Sequence, residues 1–233
     1  MTTAAFLPRF NARFTAVALV ALVAASALGY WAYGEYRKRE LQAAVVALVT
    51  ETSRQLRDAL TADAAPASDP QAAASRLEAQ AGEIDQGLEA LRRMNPAPNR
   101  PLVDAAELYV VTARELLRRM AASKRSRVEL AASTHALRAL VHDTGRRSGA
   151  WIGGMLRANE RLDKAYFNYR VAGEALAGLF DSLRRARASL AARVDPALLL
   201  DETLRASAEA RALAAAKRAS EELGEVRRLA SRN

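Results

Sequence analysis

The chain of 233 residues carries 35 basic and 26 acidic side chains, a formal charge of +9, and no cysteine, which excludes disulfides, thiol chemistry and cysteine-type zinc sites. Apolar residues make up 51% of it and aromatic ones only 6%; alanine is the commonest apolar residue, which favours helix but buries little area, so a thin, elongated core is expected. Four of the 35 basic residues are lysine, and this arginine and alanine bias is what a GC-rich bacterial genome tends to produce.

Residues 1–14 form a basic tail with Arg9, Arg13 and no acid. Residues 15–34 follow without a charge. A helix of that length, at about 1.5 Å per residue, covers the roughly 30 Å hydrocarbon core of a bilayer. Tyr30, Trp31, Tyr33 and Tyr36 suit the headgroup zone, and Glu35, Arg37, Lys38, Arg39 and Glu40 close the segment. The reading is an uncleaved signal anchor, a single N-terminal transmembrane helix in a bacterial inner membrane, with the body periplasmic. A cleaved signal peptide is the rival, because Ala25-Ser26-Ala27 fits a small-residue cleavage site. Ala21, Ala25 and Gly29 recur every fourth residue and would let two such helices approach as a homodimer. In so alanine-rich a span the same spacing arises readily by chance.

Residues 35–233 read as an all-α body: an elongated antiparallel bundle of four to five long helices with coiled-coil-like packing. The first helix runs on with Leu41, Val45, Leu48, Thr52, Leu56 and Ala59 on one face. Residues 61–70 hold two prolines and form a loop, and Asp69-Pro70 marks the cap and first position of a second helix with Ala74, Leu77, Ala81, Ile84, Leu88 and Leu91 as its seam. The proline-rich turn Asn95-Pro96-Ala97-Pro98-Asn99-Arg100-Pro101 ends it.

A hairpin over residues 101–194 follows. Its first arm carries Leu102, Ala106, Tyr109, Ala113, Leu116 and Met120 on one side, is interrupted by Lys124, Arg125 and Arg127, and resumes with Leu130, Thr134, Leu137 and Val141. A register shift or bend is expected at the interruption. Gly145 suits the end of this arm, and Ser148 the cap of the next, whose seam runs through Met155, Leu162, Tyr166, Tyr169, Gly173, Leu176, Phe180, Leu183, Leu190 and Val194. Asp195-Pro196 is expected to start a fifth helix with a weaker seam of Ala212, Ala216, Ala219, Leu223 and Val226. The two arms are longer than the other helices, so the hairpin should project beyond them. Its tip would hold His135, Arg138, His142, Arg146, Arg147 and Trp151.

No catalytic constellation accompanies this pattern, and neither enzyme activity nor a cofactor is expected. His135 and His142, the only histidines, lie two turns apart, too far for one metal ion to join them easily; a solvated polar stripe is the simpler reading. The stretch His135-Ala136-Leu137-Arg138-Ala139 resembles the H-x-L-K-G segment of histidine phosphotransfer domains, also helical bundles. It departs from that pattern at Arg138 and Ala139, and the likeness covers five residues. Gly149, Gly153 and Gly154 match neither a dinucleotide fingerprint nor a phosphate loop.

Charge is more informative, because the third and fourth helices carry the positive surplus: Arg118, Arg119, Lys124, Arg125, Arg127, Arg138, Arg146, Arg147, Arg157, Arg161 and Lys164 all fall on the hairpin. Such a surface attracts acidic proteins or anionic lipid, while nucleic acid lacks the interleaved aromatics that would favour it. The expected role is a scaffold or adaptor in a cell-envelope assembly that presents the hairpin tip to a protein partner. The alternative is a sensory or ligand-binding helical module that relays through a separate partner, with Tyr166, Phe167 and Tyr169 around a small molecule.

Overall fold

In the computed structural model, which describes residues 12–64, 69–142 and 148–231, with side chains from Ser26 to Arg228 apart from Ala27, five long helices alternate in direction. They are α1 (Ala12–Ala62), α2 (Pro70–Arg92), α3 (Arg100–His142), α4 (Gly149–Ala191) and α5 (Glu202–Ser231). No strand occurs among the described residues. Among them, too, no helix is long and apolar enough to cross a membrane. The expected span over residues 15–34 falls in the first part of α1, where the side chains of residues 12–25 and of Ala27 lie outside the described ones.

Local chemistry sets the helix ends. The Asp69 carboxylate accepts from the backbone N–H of Gln71 and Ala72 at 2.8 and 3.1 Å, and Pro70 opens α2, since proline has no N–H to lose there. Asn95 accepts from Ala97 N at 3.0 Å and leads into a single 3-10 turn, Ala97–Asn99. Ser148 caps α4 by accepting from Trp151 N at 3.1 Å; Gly145 lies outside the described residues.

The fifth helix starts later than expected. Asp195-Pro196 begins only a 3-10 turn, Pro196–Leu198. The next two residues, Leu199 and Leu200, are buried, and Leu200 gives its N–H to the Tyr109 hydroxyl at 3.2 Å instead of to a helix. Asp201 then caps α5, accepting from Thr203 N at 2.8 Å and Leu204 N at 3.0 Å.

Cross-helix pairs fix the register. Arg92 with Glu107, Arg114 and Arg118 with Asp85, and Arg125 with Glu78 progress in opposite senses along α2 and α3, so these two run antiparallel. Ser53 with Tyr109 and Asp63 with Lys124 make α1 and α3 parallel. Helix α3 touches each of the other four, and α4 lies against α3 and α5. This central position explains why α3 buries consecutive pairs: Leu102 and Val103, Ala105 and Ala106, Tyr109 and Val110, Leu116 and Leu117, Met120 and Ala121.

The core has two sections. The basal one joins α1 from Leu41 to Leu60, the α2 seam, α3 up to Ala121, α4 from Leu176 to Leu190, and Leu199, Leu200 and Ala208. The distal one joins only Leu130 and Leu137 of α3, Ala158, Leu162, Ala165 and Tyr169 of α4, and Leu223 and Val226 of α5. The hairpin therefore does not project bare, since the second half of α5 packs along it and makes a three-helix section.

The register shift expected in α3 does not occur. Leu102, Tyr109, Leu116, Leu130 and Leu137 are buried at multiples of seven, as are Ala106, Ala113, Met120, Thr134 and Val141, so the seam phase continues through the interruption as a coiled-coil repeat requires. Lys124 and Arg125 leave the apolar pattern because α1 and α2 end there: they meet Asp63 and Glu78.

Candidate functional site

The distal end is built from the last turns of α3, the first turns of α4 and the end of α5. Trp151, in the first turn of α4, is half-buried and donates its indole N–H to the Leu140 carbonyl of α3 at 3.0 Å, which satisfies one of the carbonyls a helix end leaves open. It joins the two arms. Gly154 faces α3 next to it, where a Cβ would lie 3.6 Å from Leu140 Cδ2.

His135 and His142 are both exposed on α3. Arg138 is committed to α5, donating to Glu222 at 3.4 Å. Arg146 and Arg147 lie outside the described residues. Among those described, no group of three His, Asp or Glu side chains could hold a metal ion.

Two arginines carry the positive character of this end. Between α3 and α4 is a depression of about 230 Å³ floored by Ser133, Ala136, Gly154 and Ala158 and flanked by Leu140, Arg157 and Arg161. Small residues at four of these positions leave the hollow open. Among the described residues neither Arg157 nor Arg161 has an ion-pair partner, and the same holds for Arg127 and Lys164. On the first turns of α4, Ile152 and Leu156, one turn apart, are 50% and 68% exposed.

The basal part of the hairpin is different. Arg114, Arg118, Arg119, Lys124 and Arg125 are each paired with a carboxylate, and Arg184 and Arg185 share Asp181. Much of the charge surplus read along the hairpin is thus neutralised in place. The signal in the sequence was the set of small residues on the two arms, Ser133, Ala136, Gly154 and Ala158, which only the pairing of α3 with α4 could bring together.

Buried polar groups are structural. The Tyr109 hydroxyl, fully buried, lies 2.9 Å from Ser53 Oγ and accepts from Leu200 N; burial pushes its pKa up, with the Ser53 contact acting against that. Arg205, also buried, spans Glu202 and Glu209 at 2.7 and 2.6 Å, and the hydrogen bond from Arg205 holds the Glu202 carboxyl below its usual range. Arg211 donates to the Leu60 carbonyl at 3.0 Å, tying α5 to the end of α1. The three rings Tyr166, Phe167 and Tyr169 do not enclose one space: Tyr169 is in the distal core, Tyr166 sits at its edge and Phe167 points to solvent under Arg170. No protein-family model, no curated protein and no solved structure matches the chain.

Proposed function

We propose that the chain is a single-pass, membrane-anchored strut that acts as a scaffold or adaptor in a bacterial cell-envelope assembly. Its distal end would take an acidic, amphipathic protein segment. The observation that carries the partner reading is the set of cations Arg127, Arg157, Arg161 and Lys164, without an ion-pair partner among the described residues, in the same section as exposed Ile152 and Leu156, whereas Arg114, Arg118, Lys124 and Arg125 in the base are paired. Unpaired surface charge speeds and selects an oppositely charged partner, and adjacent apolar side chains supply the area that holds it.

The anchor reading is supported by the uncharged run over residues 15–34 and by Tyr30, Trp31, Tyr33 and Tyr36, which are exposed on α1 below the bundle. Aromatic rings of this kind belong at a membrane interface. Helix α1 passes from that run into the basal core without a break, so the tether and the bundle form one rod.

Two experiments test the pair of claims. Full-length protein should remain with the membrane in carbonate, and its release uncut would refute the anchor. A photo-crosslinker at Leu156 should give a discrete protein adduct in cells that Arg157→Glu with Arg161→Glu abolishes; an adduct that persists in this variant would refute the charge-directed partner.

A further inference from the structure

The polar groups around the distal hollow between α3 and α4 are all able to donate. Arg157 and Arg161 stand one turn apart on its α4 side, Ser133 lies on its α3 side, and no carboxylate lines it. Among the described residues neither arginine forms an ion pair or a hydrogen bond, and the Ser133 hydroxyl is unbonded as well. Ser75 and Ser182, by contrast, give their hydroxyls to the carbonyl four residues back.

Local geometry keeps these donors available. Glu160 follows Arg157 by three residues, a spacing at which acid and base often meet on a helix, but the guanidinium turns the other way. Its Nη1 lies 3.4 Å, and its Cζ 3.9 Å, from where a Cβ on Gly153 would stand, so it folds back over the preceding turn, where glycine leaves the space free. The floor is equally low, because Ala136, Gly154 and Ala158 carry a methyl group or nothing. A compact group therefore reaches in between the helices. At about 230 Å³ the hollow is smaller than the sites of drug-sized ligands, about 300–1,000 Å³, and suits one functional group with a short substituent.

Two guanidinium groups bring two positive charges and only donors, in a fork that matches oxyanions. A carboxylate balances one of those charges. A phosphomonoester carries about −1.5 to −2 at pH 7 and offers three acceptor oxygens, which answers both arginines and the hydroxyl together. We infer that this hollow binds a small phosphomonoester, its terminal oxygens shared among Arg157, Arg161 and Ser133 and its short substituent along Leu140. The site is complete within one chain and needs neither the anchor nor a protein partner, although a protein docked on the same arginines would exclude the ligand.

The probe is ethyl phosphate, titrated calorimetrically into the full chain in non-ionic detergent at low salt and about pH 8, above the second phosphate pKa near 6. Acetate and diethyl phosphate, both monoanions, are the controls. The expected result is saturable binding of the monoester about tenfold tighter than either control, and a loss of about tenfold or more in Arg157→Gln and in Arg161→Gln, as for removal of a charge-assisted hydrogen bond. Ala136→Leu, which fills the hollow and leaves every charge in place, should weaken binding as much. Lys164→Gln, which removes a nearby cation outside the hollow, should change it less than twofold. Ala136, Arg157, Arg161 and Lys164 are all exposed, so the four variants should keep the melting temperature of the parent. Absence of saturable binding, equal affinity for the monoanions, full affinity in Ala136→Leu, or the same loss in Lys164→Gln as in Arg161→Gln would overturn the inference. None of these results touches the partner reading, which is decided by the crosslink in cells.

Discussion

The basal and distal sections share α3 and α4, yet they are held together differently. In the base, α3 is surrounded and buries residues in consecutive pairs, its cations are matched with carboxylates, and the Tyr109 hydroxyl joins Ser53 of α1 to the chain just before α5. In the distal section α3 buries single residues at steps of three and four, and Arg127, Arg157, Arg161 and Lys164 have no ion-pair partner among the described residues. Neighbours on every side consume both apolar surface and charge. Where α1 and α2 stop, surface is left uncovered, and it is there that the proposed partner would dock.

The largest test of this contrast is truncation of a basal core ring. Phe180→Ala should cost about 3–5 kcal/mol and lower the single unfolding transition followed by circular dichroism. The equivalent distal change, Leu162→Ala, should cost about 2–5 kcal/mol but act locally. Hydrogen exchange should quicken in residues 130–142, 149–169 and 219–228 and stay slow in the base; uniform acceleration would show that the two sections unfold as one.

Next is Tyr109→Phe, which strands the Leu200 N–H and the Ser53 hydroxyl in the base and should cost about 1–3 kcal/mol in denaturant titration. Its pH dependence follows from burial. The folded state raises the phenol pKa above the value of about 10 in the unfolded chain, so it binds that proton more tightly. The contribution is complete below about pH 10 and is lost as pH rises through the folded value. Stability should therefore fall on the alkaline side, less steeply in Tyr109→Phe. At the distal end Trp151→Phe removes the bond to the Leu140 carbonyl for about 0.5–1.5 kcal/mol, seen as faster exchange at the hairpin turn. Smallest for stability is Arg157→Glu with Arg161→Glu, expected within about 0.5 kcal/mol of the parent.

The same contrast explains what could be read from the sequence. Helix α2 lies on one neighbour layer, and its buried set, Ala74, Leu77, Ala81, Ile84, Leu88 and Leu91, is the seam its spacing predicts. Helix α3 has partners on more than one side, so a one-face reading finds Leu102, Ala106 and Tyr109 but misses Val103, Val110 and Leu117. In α4 the alanines Ala158, Ala165, Ala172 and Ala186 are buried although their side chains give a weak signal. The charge interruption at Lys124 and Arg125 looked like a register shift because their partners, Asp63 and Glu78, are distant in sequence. Among the tip residues, Trp151 was found but its role was not legible, since its acceptor is a backbone carbonyl.

The central claim is that α1 fixes the base at a lipid surface and the distal end stands off by the length of α3, whose 43 residues span about 65 Å. The chain has no cysteine, so Arg93→Cys in the base and Ala150→Cys at the distal end each accept one fluorophore. In vesicles carrying acceptor lipids, energy transfer should be strong from position 93 and weak from position 150. Equal transfer from the two positions, or a labelled protein that does not float with the vesicles, would contradict the account.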